Sequence, residues 1–225
     1  MTRHTFELLS MGVVMSALAC TAWIAADVIR RPQPMGIMNL VWPLNGLYGG
    51  PIALWAYIVL GRQPCKKPDP KGPRPAHDKP TWRGVVVSTA HCAAGCTLGD
   101  LVGDNLATQI GFSLFGSPVY GRFLLASLFA YMFGIGFQYF AIAPMKKLGP
   151  GAALLAAIKA DSLSLAAFQA GMLAWMMISA GLFSTPLDPA SWSYWFMMQI
   201  AMMAGFVASY PANVWLIRHG VKHAM

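Results

Sequence analysis

Five charge-free apolar runs, each about as long as a bilayer is thick, constrain this chain more than any other feature. They fall near Leu8 to Ala26, Ile37 to Leu60, Phe123 to Met145, Ser162 to Phe183 and Trp192 to Ile217. Roughly 20 apolar residues at about 1.5 Å rise cross the hydrocarbon core of a membrane. Only 11% of the residues are charged, less than half of what a soluble domain spends on covering its surface. A soluble globule and a disordered chain are both excluded. The expected class is an all-α integral membrane protein.

A sixth span is expected from Val85 to about Phe115, where apolar residues are interleaved with His91, Cys92, Cys96, Asp100, Asp104 and Asn105. The fifth is expected to begin near Gly151 and so to include Lys159 and Asp161. Residues 62–83 hold six prolines and seven Lys or Arg and can neither span nor form a core. The expected organisation is a transmembrane helix pair over 1–61, a basic Pro-rich cytoplasmic linker over 62–83 and a four-helix domain over 84–225.

Basic residues orient the expected six spans. Arg3, the linker cations, Lys146, Lys147, Arg218 and Lys222 fall on one side, against Arg30, Arg31 and Arg122 on the other. Both termini are therefore expected in the cytoplasm, with the chain in the cytoplasmic (inner) membrane. Ala17 and Glu7 argue against reading the segment before Cys20 as a cleaved lipoprotein leader. The linker's basicity suits anionic lipid headgroups rather than nucleic acid.

An ionisable group at bilayer depth costs at least ~3 kcal/mol on insertion scales, so each is expected to face the bundle interior. Cys92, Cys96 and Asp100 recur every four residues along one stripe, with Asp104 continuing outward. The series Gly95, Gly99, Gly103, Ala107 and Gly111 runs beside it and permits close helix approach. Two thiols one turn apart, with His91 adjacent, can hold a soft ion such as Cu(I). They can also form a redox pair, though bridging two cysteines on an intact helix strains disulfide geometry, or serve as small buried hydrophobes.

Lys159 and Asp161 point to nearly opposite sides of their helix and need separate partners. Asp161 is expected beside His91, fixing its tautomer, while Lys159 can snorkel to the interface. Met172 and Met176 form a stripe on the fifth helix, and Met198 and Met202, flanking Gln199, another on the sixth; thioethers bind Cu(I), although helical Met is also common packing filler. Pro43, Asn45, Gly46, Gly49, Gly50 and Pro51 mark the second helix for a kink or break, and Pro211 marks the sixth. No dinucleotide, phosphate-loop or H-E-x-x-H pattern occurs, and His91 alone among the histidines lies deep in a span, which disfavours bis-His haem.

The segments His91 to Asp100 (H-C-A-A-G-C-T-L-G-D), Phe137 to Met145, Lys159-Ala160-Asp161, Phe196 to Met202 and Tyr210-Pro211-Ala212-Asn213 together resemble a family of bacterial and archaeal membrane proteins with an uncharacterised four-helix domain. The resemblance covers about Trp82 to Met225 and implies a compact four-helix unit without assigning an activity.

The leading expectation is a protein that binds and passes a soft cation, copper foremost. Cys92, Cys96 and His91 would be ligands, Asp100 and Asp104 carboxylates on the outward path, and Asp161 an orienting partner. Lys159, Met172, Gln199, Met198 and Met202 would support them. A copper ion is the one cofactor this implies, and the bilayer, a second copy or a membrane-complex subunit are the partners. The rival is an accessory subunit that uses Cys and Gly for packing; a third reading makes Asp100 and Asp161 proton relays.

Overall fold

The computed structural model describes residues 3–64, 81–146, 149–182 and 187–222. Among them lie α1 (Arg3–Arg30), α2 (Met38–Ala56), α3 (Trp82–Gln109), α4 (Pro118–Lys146), α5 (Pro150–Leu182) and α6 (Trp192–Arg218), with no strand. By length and composition, six helical segments are long and apolar enough to cross a membrane. Most of the linker, including Lys66, Lys67, Lys71, Arg74 and Lys79, lies outside the described residues, as does Lys147.

Local chemistry sets the boundaries. The Thr81 hydroxyl accepts from Gly84 N at 3.2 Å and Ser191 accepts from Tyr194 N at 3.2 Å, capping α3 and α6. Pro118 and Pro150 open α4 and α5, where a missing N–H costs nothing. The third helix stops at Gln109, short of the expected Phe115, because Gly111 turns the chain with φ +64°.

The second apolar segment does not run straight. Gly50 has φ +48° and ψ −126°, a conformation open to glycine, and Pro51 behind it supplies no backbone donor. An unbroken helix would hold residues 42 and 61 roughly 28 Å apart. Instead Gly61 lies against the Trp42 indole, where an added Cβ would sit 2.3 Å from the ring, and the Trp42 and Tyr57 rings are 5.4 Å apart. Residues 38–49 and 51–61 are thus two limbs of a re-entrant hairpin, the second ending in a wide π-helical turn (Tyr57–Gly61). Its tip reaches mid-helix on α1, with Gly50 beside Ala17.

Polar bonds fasten the hairpin's open end. Arg62 donates to both Asp27 carboxylate oxygens at 3.0 and 3.1 Å, Tyr57 donates to Asp27 Oδ2 at 2.9 Å, and Gln33 Nε2 donates to the Gly61 carbonyl at 3.0 Å. Both limbs therefore begin and end where α1 ends. At the other end of the bundle, Ser193 N donates to Glu7 at 3.0 Å and the Phe6 and Phe196 rings are 6.0 Å apart, so α1 starts where α6 starts.

Five helices run the length of the bundle and the second apolar segment doubles back, so α1 begins at the end of the bundle opposite Lys222. Arg30 and Arg31, expected across the membrane from the linker, stand at the same end as Arg62. Hydropathy gives the same signal for a re-entrant pair as for a span, because both bury similar apolar length in lipid.

The third helix is central, as its glycines imply. Of its most apolar window 72% is buried, against 22–44% in the other five segments. Gly95, Gly99 and Gly103 meet Gly134, Ala130 and Ala126 of α4, and a Cβ at Gly99 would lie 2.1 Å from Ala130 N. The backbones touch there, which leaves the Cys-Asp stripe facing the remaining helices.

Candidate functional site

On α3, four-residue spacing carries Cys92 and Cys96 away from the glycine seam and into one buried cluster with Met172 and Phe168 of α5 and Met198, Ala201 and Met202 of α6. Both thiols are free and fully buried, and they lie close enough to interact with each other. Three of the four singled-out methionines thus belong to the same buried cluster as the two thiols, and Met176 packs against it.

The hairpin tip completes this centre. Tyr48, two residues from the break, belongs to the same cluster and is an electrostatic neighbour of both thiols. Its hydroxyl donates to Asn45 Oδ1, and Asn45 Nδ2 donates to the α3 carbonyl of Ala90 at 3.0 Å. Gln199 Nε2 on α6 donates to the Leu47 carbonyl at 2.7 Å, one of the acceptors left open where the helix breaks. The sequence marks the break, but Tyr48 reads there as one more apolar-run aromatic.

Toward the basic end the thiols continue into a charged group. Cys92 Sγ lies 3.3 Å from Ser164 Oγ, which donates to Asp161 Oδ1 at 2.8 Å. Lys222 Nζ donates to the same Asp161 oxygen at 2.5 Å and to Asn213 Oδ1 at 2.7 Å. His91 does not make the expected hydrogen bond to Asp161. Both its ring nitrogens and Asp161 Oδ2 are buried without a hydrogen bond of good geometry, although the charges of Asp161 and Lys222 and the Phe137 backbone all act on the ring. Lys222 takes the place expected for His91 because the chain turns back after α6. Lys159 is solvent- or lipid-exposed, pointing away from Asp161.

At the opposite end, Asp100 Oδ1 accepts from Gln169 Nε2 at 3.3 Å, and Gln169 Oε1 accepts from Ser127 at 3.2 Å. Asp104 accepts from the Tyr194 hydroxyl at 2.8 Å and lies 3.9 Å from Arg122 Nε. Beside them a cavity of about 420 Å³ is lined by Asp104, Arg122, Met172, Met176, Met197 and Met198. Met172 and Met198 wall both this cavity and the thiol cluster.

The stripe read from the sequence is therefore interior along its length, flanked by carboxylates at one end and an ion pair at the other. Among the described residues no three His, Cys, Asp or Glu side chains are grouped to hold a metal ion. A soft ion here would rest on two thiols and thioethers, donors that suit Cu(I).

A family model described as a domain of unknown function, DUF4396, matches residues 81–222, well over half of the chain. The chain belongs to the DUF4396 family. The match takes in the stripe, Asp161, Gln199, Asn213 and Lys222, and leaves out α1 and the re-entrant hairpin. The DUF4396 domain thus supplies both thiols and the ion pair, while Tyr48 comes from outside it. No curated protein and no solved structure matches the chain.

Proposed function

We propose that this DUF4396 protein is a multi-pass carrier that binds a soft monovalent cation, copper(I) foremost, and passes it between the faces of its membrane. One observation supports the reading above all: Cys92, Cys96, Met172, Met198 and Met202 belong to a single buried cluster that also takes in Tyr48 from the hairpin tip. Sulfur ligands favour Cu(I) over hard ions, and half-helix tips at mid-depth are a recurrent architecture of transport sites. Cys92 and Cys96 are the thiolate ligands, and Met172, Met198 and Met202 the thioether walls. His91, next to Cys92 in sequence and fully buried, is the third ligand. The cavity beside Asp104 is the approach from the end opposite the linker, and the basic end faces the cytoplasm.

Copper and zinc content of the purified protein, measured beside the Cys92→Ser/Cys96→Ser variant, tests this. Near-stoichiometric copper in the wild type, lost in the variant, is expected; equal, substoichiometric metal in both would sink it.

The backbone contact of Gly95, Gly99 and Gly103 with α4 favours a second reading, an accessory subunit of a larger membrane complex that uses Cys and Gly for packing. On that reading the protein co-purifies with a partner, and the double Ser variant assembles normally.

A further inference from the structure

We infer that Asp161, Asn213 and Ser164 form a binding site for a small monovalent cation, and that the protein's own Lys222 ammonium occupies it in this conformation as a tethered, displaceable ion. The inference does not rest on the sulfur reading, because its ligands are oxygens and it lies on the basic-end side of the thiols.

The surroundings of Nζ are those of a free cation. Asp161 Oδ1 and Asn213 Oδ1 approach it at 2.5 and 2.7 Å, and Ser164 braces the same carboxylate oxygen at 2.8 Å. Hard oxygen donors and one negative charge suit ammonium or an alkali ion, not a soft metal. Asn213 is itself fixed, its amide donating to the Ser209 carbonyl at 3.0 Å.

One oxygen of the carboxylate also stands without a protein partner. A buried ion pair held only for stability satisfies its remaining lone pairs and donors, since unmet ones forfeit the gain. Here Asp161 Oδ2 has no such bond among the described residues, beside an ammonium with two oxygen acceptors among them. A partly hydrated ion brings water to that oxygen; an ammonium on a lysine stem brings none.

The tether is short and lies outside the helices. Gly220, with φ +69°, ends α6 in a left-handed turn in which Gly220 N donates to the Ile217 carbonyl at 3.1 Å and Val221 N to Leu216 at 3.0 Å. Undoing that turn withdraws Lys222 without breaking a helix. Charge balance then couples the events. Asp161 cannot be left alone in the bundle, so Lys222 leaves as one cation arrives, an electroneutral one-for-one exchange that opens the inner end of the chain Ser164–Cys92.

Chemical rescue tests this. Lys222→Ala, in nanodiscs, is expected to melt below the wild type in choline chloride and to recover most of the difference, saturably, in ammonium or methylammonium chloride of equal ionic strength. Lys222→Ala/Asp161→Asn should show no such recovery. Recovery by choline alike, or none with the folded variant, overturns the proposal. If the variant does not accumulate, amine-reactive labelling of Lys222 in the wild type, read by mass spectrometry, decides instead. Several-fold greater labelling in potassium than in choline chloride is expected, and equal labelling overturns the proposal.

Discussion

The Lys222 ammonium lies 2.5 Å from Asp161 Oδ1 with both side chains wholly excluded from solvent. They are 61 residues apart in sequence and close the bundle between α5 and the turn that follows α6. Removing one partner leaves the other buried and unpaired, which costs about 3–5 kcal/mol in proteins generally. Asp161→Asn and Lys222→Met are each expected to destabilise by that order, and the double variant by much less. A double-mutant cycle on thermal unfolding in detergent checks this; additive losses would mean that the pair is not coupled.

Opposite placement of the chain's ends has a direct topological consequence. Tags fused before Arg3 and after Lys222 are expected to be protease-sensitive from opposite sides of sealed, oriented vesicles. A tag inserted in the linker should share the side of the C-terminal one. Tags at both ends reporting the same side would restore six crossings.

Close contact of α3 with α4 makes Gly99 intolerant of a side chain. Gly99→Ala must push the Ala130 backbone away, and overpacking of this kind costs about 1–3 kcal/mol. Gly136→Ala, on the same α4 but with no atom within 4 Å of the new Cβ, is the control and is expected to be neutral or slightly stabilising. Thermal unfolding of the two variants side by side separates a packing seam from general sensitivity of the bundle.

The hairpin tip is held over the thiols in part by Gln199 and the Leu47 carbonyl. Gln199→Leu removes an interhelical bond worth roughly 1 kcal/mol in a membrane protein, which corresponds to about a fivefold shift toward an open tip. Alkylation of Cys92 and Cys96 by a small maleimide should quicken by that factor. An unchanged rate would mean that the tip does not guard the thiols.

Much of this was legible in the chain. Six apolar segments, the centrality of α3 and the inward course of the Cys92-to-Asp104 stripe all follow from hydropathy and four-residue spacing, which are local properties. The hairpin was half legible: Gly49-Gly50-Pro51 announces a break, but whether the second limb continues or returns depends on Asp27 catching Arg62 and Tyr57, a contact 30 or more residues away in sequence. Lys222 was not legible at all. A lysine just past an apolar helix looks like an ordinary interfacial cation, and only the turn at Gly220 sends it inward. Lys159, which does sit within an apolar helix, is by contrast exposed, because a side chain two residues from Asp161 must face away from it.

X-ray absorption at the copper edge of Cu(I)-loaded protein in membranes tests the central claim most directly. A shell of sulfur scatterers alone or with one imidazole nitrogen, at one copper per chain and abolished by Cys92→Ser/Cys96→Ser, is the predicted result. Copper that stays substoichiometric, or an oxygen and nitrogen shell unchanged by the double variant, would contradict it.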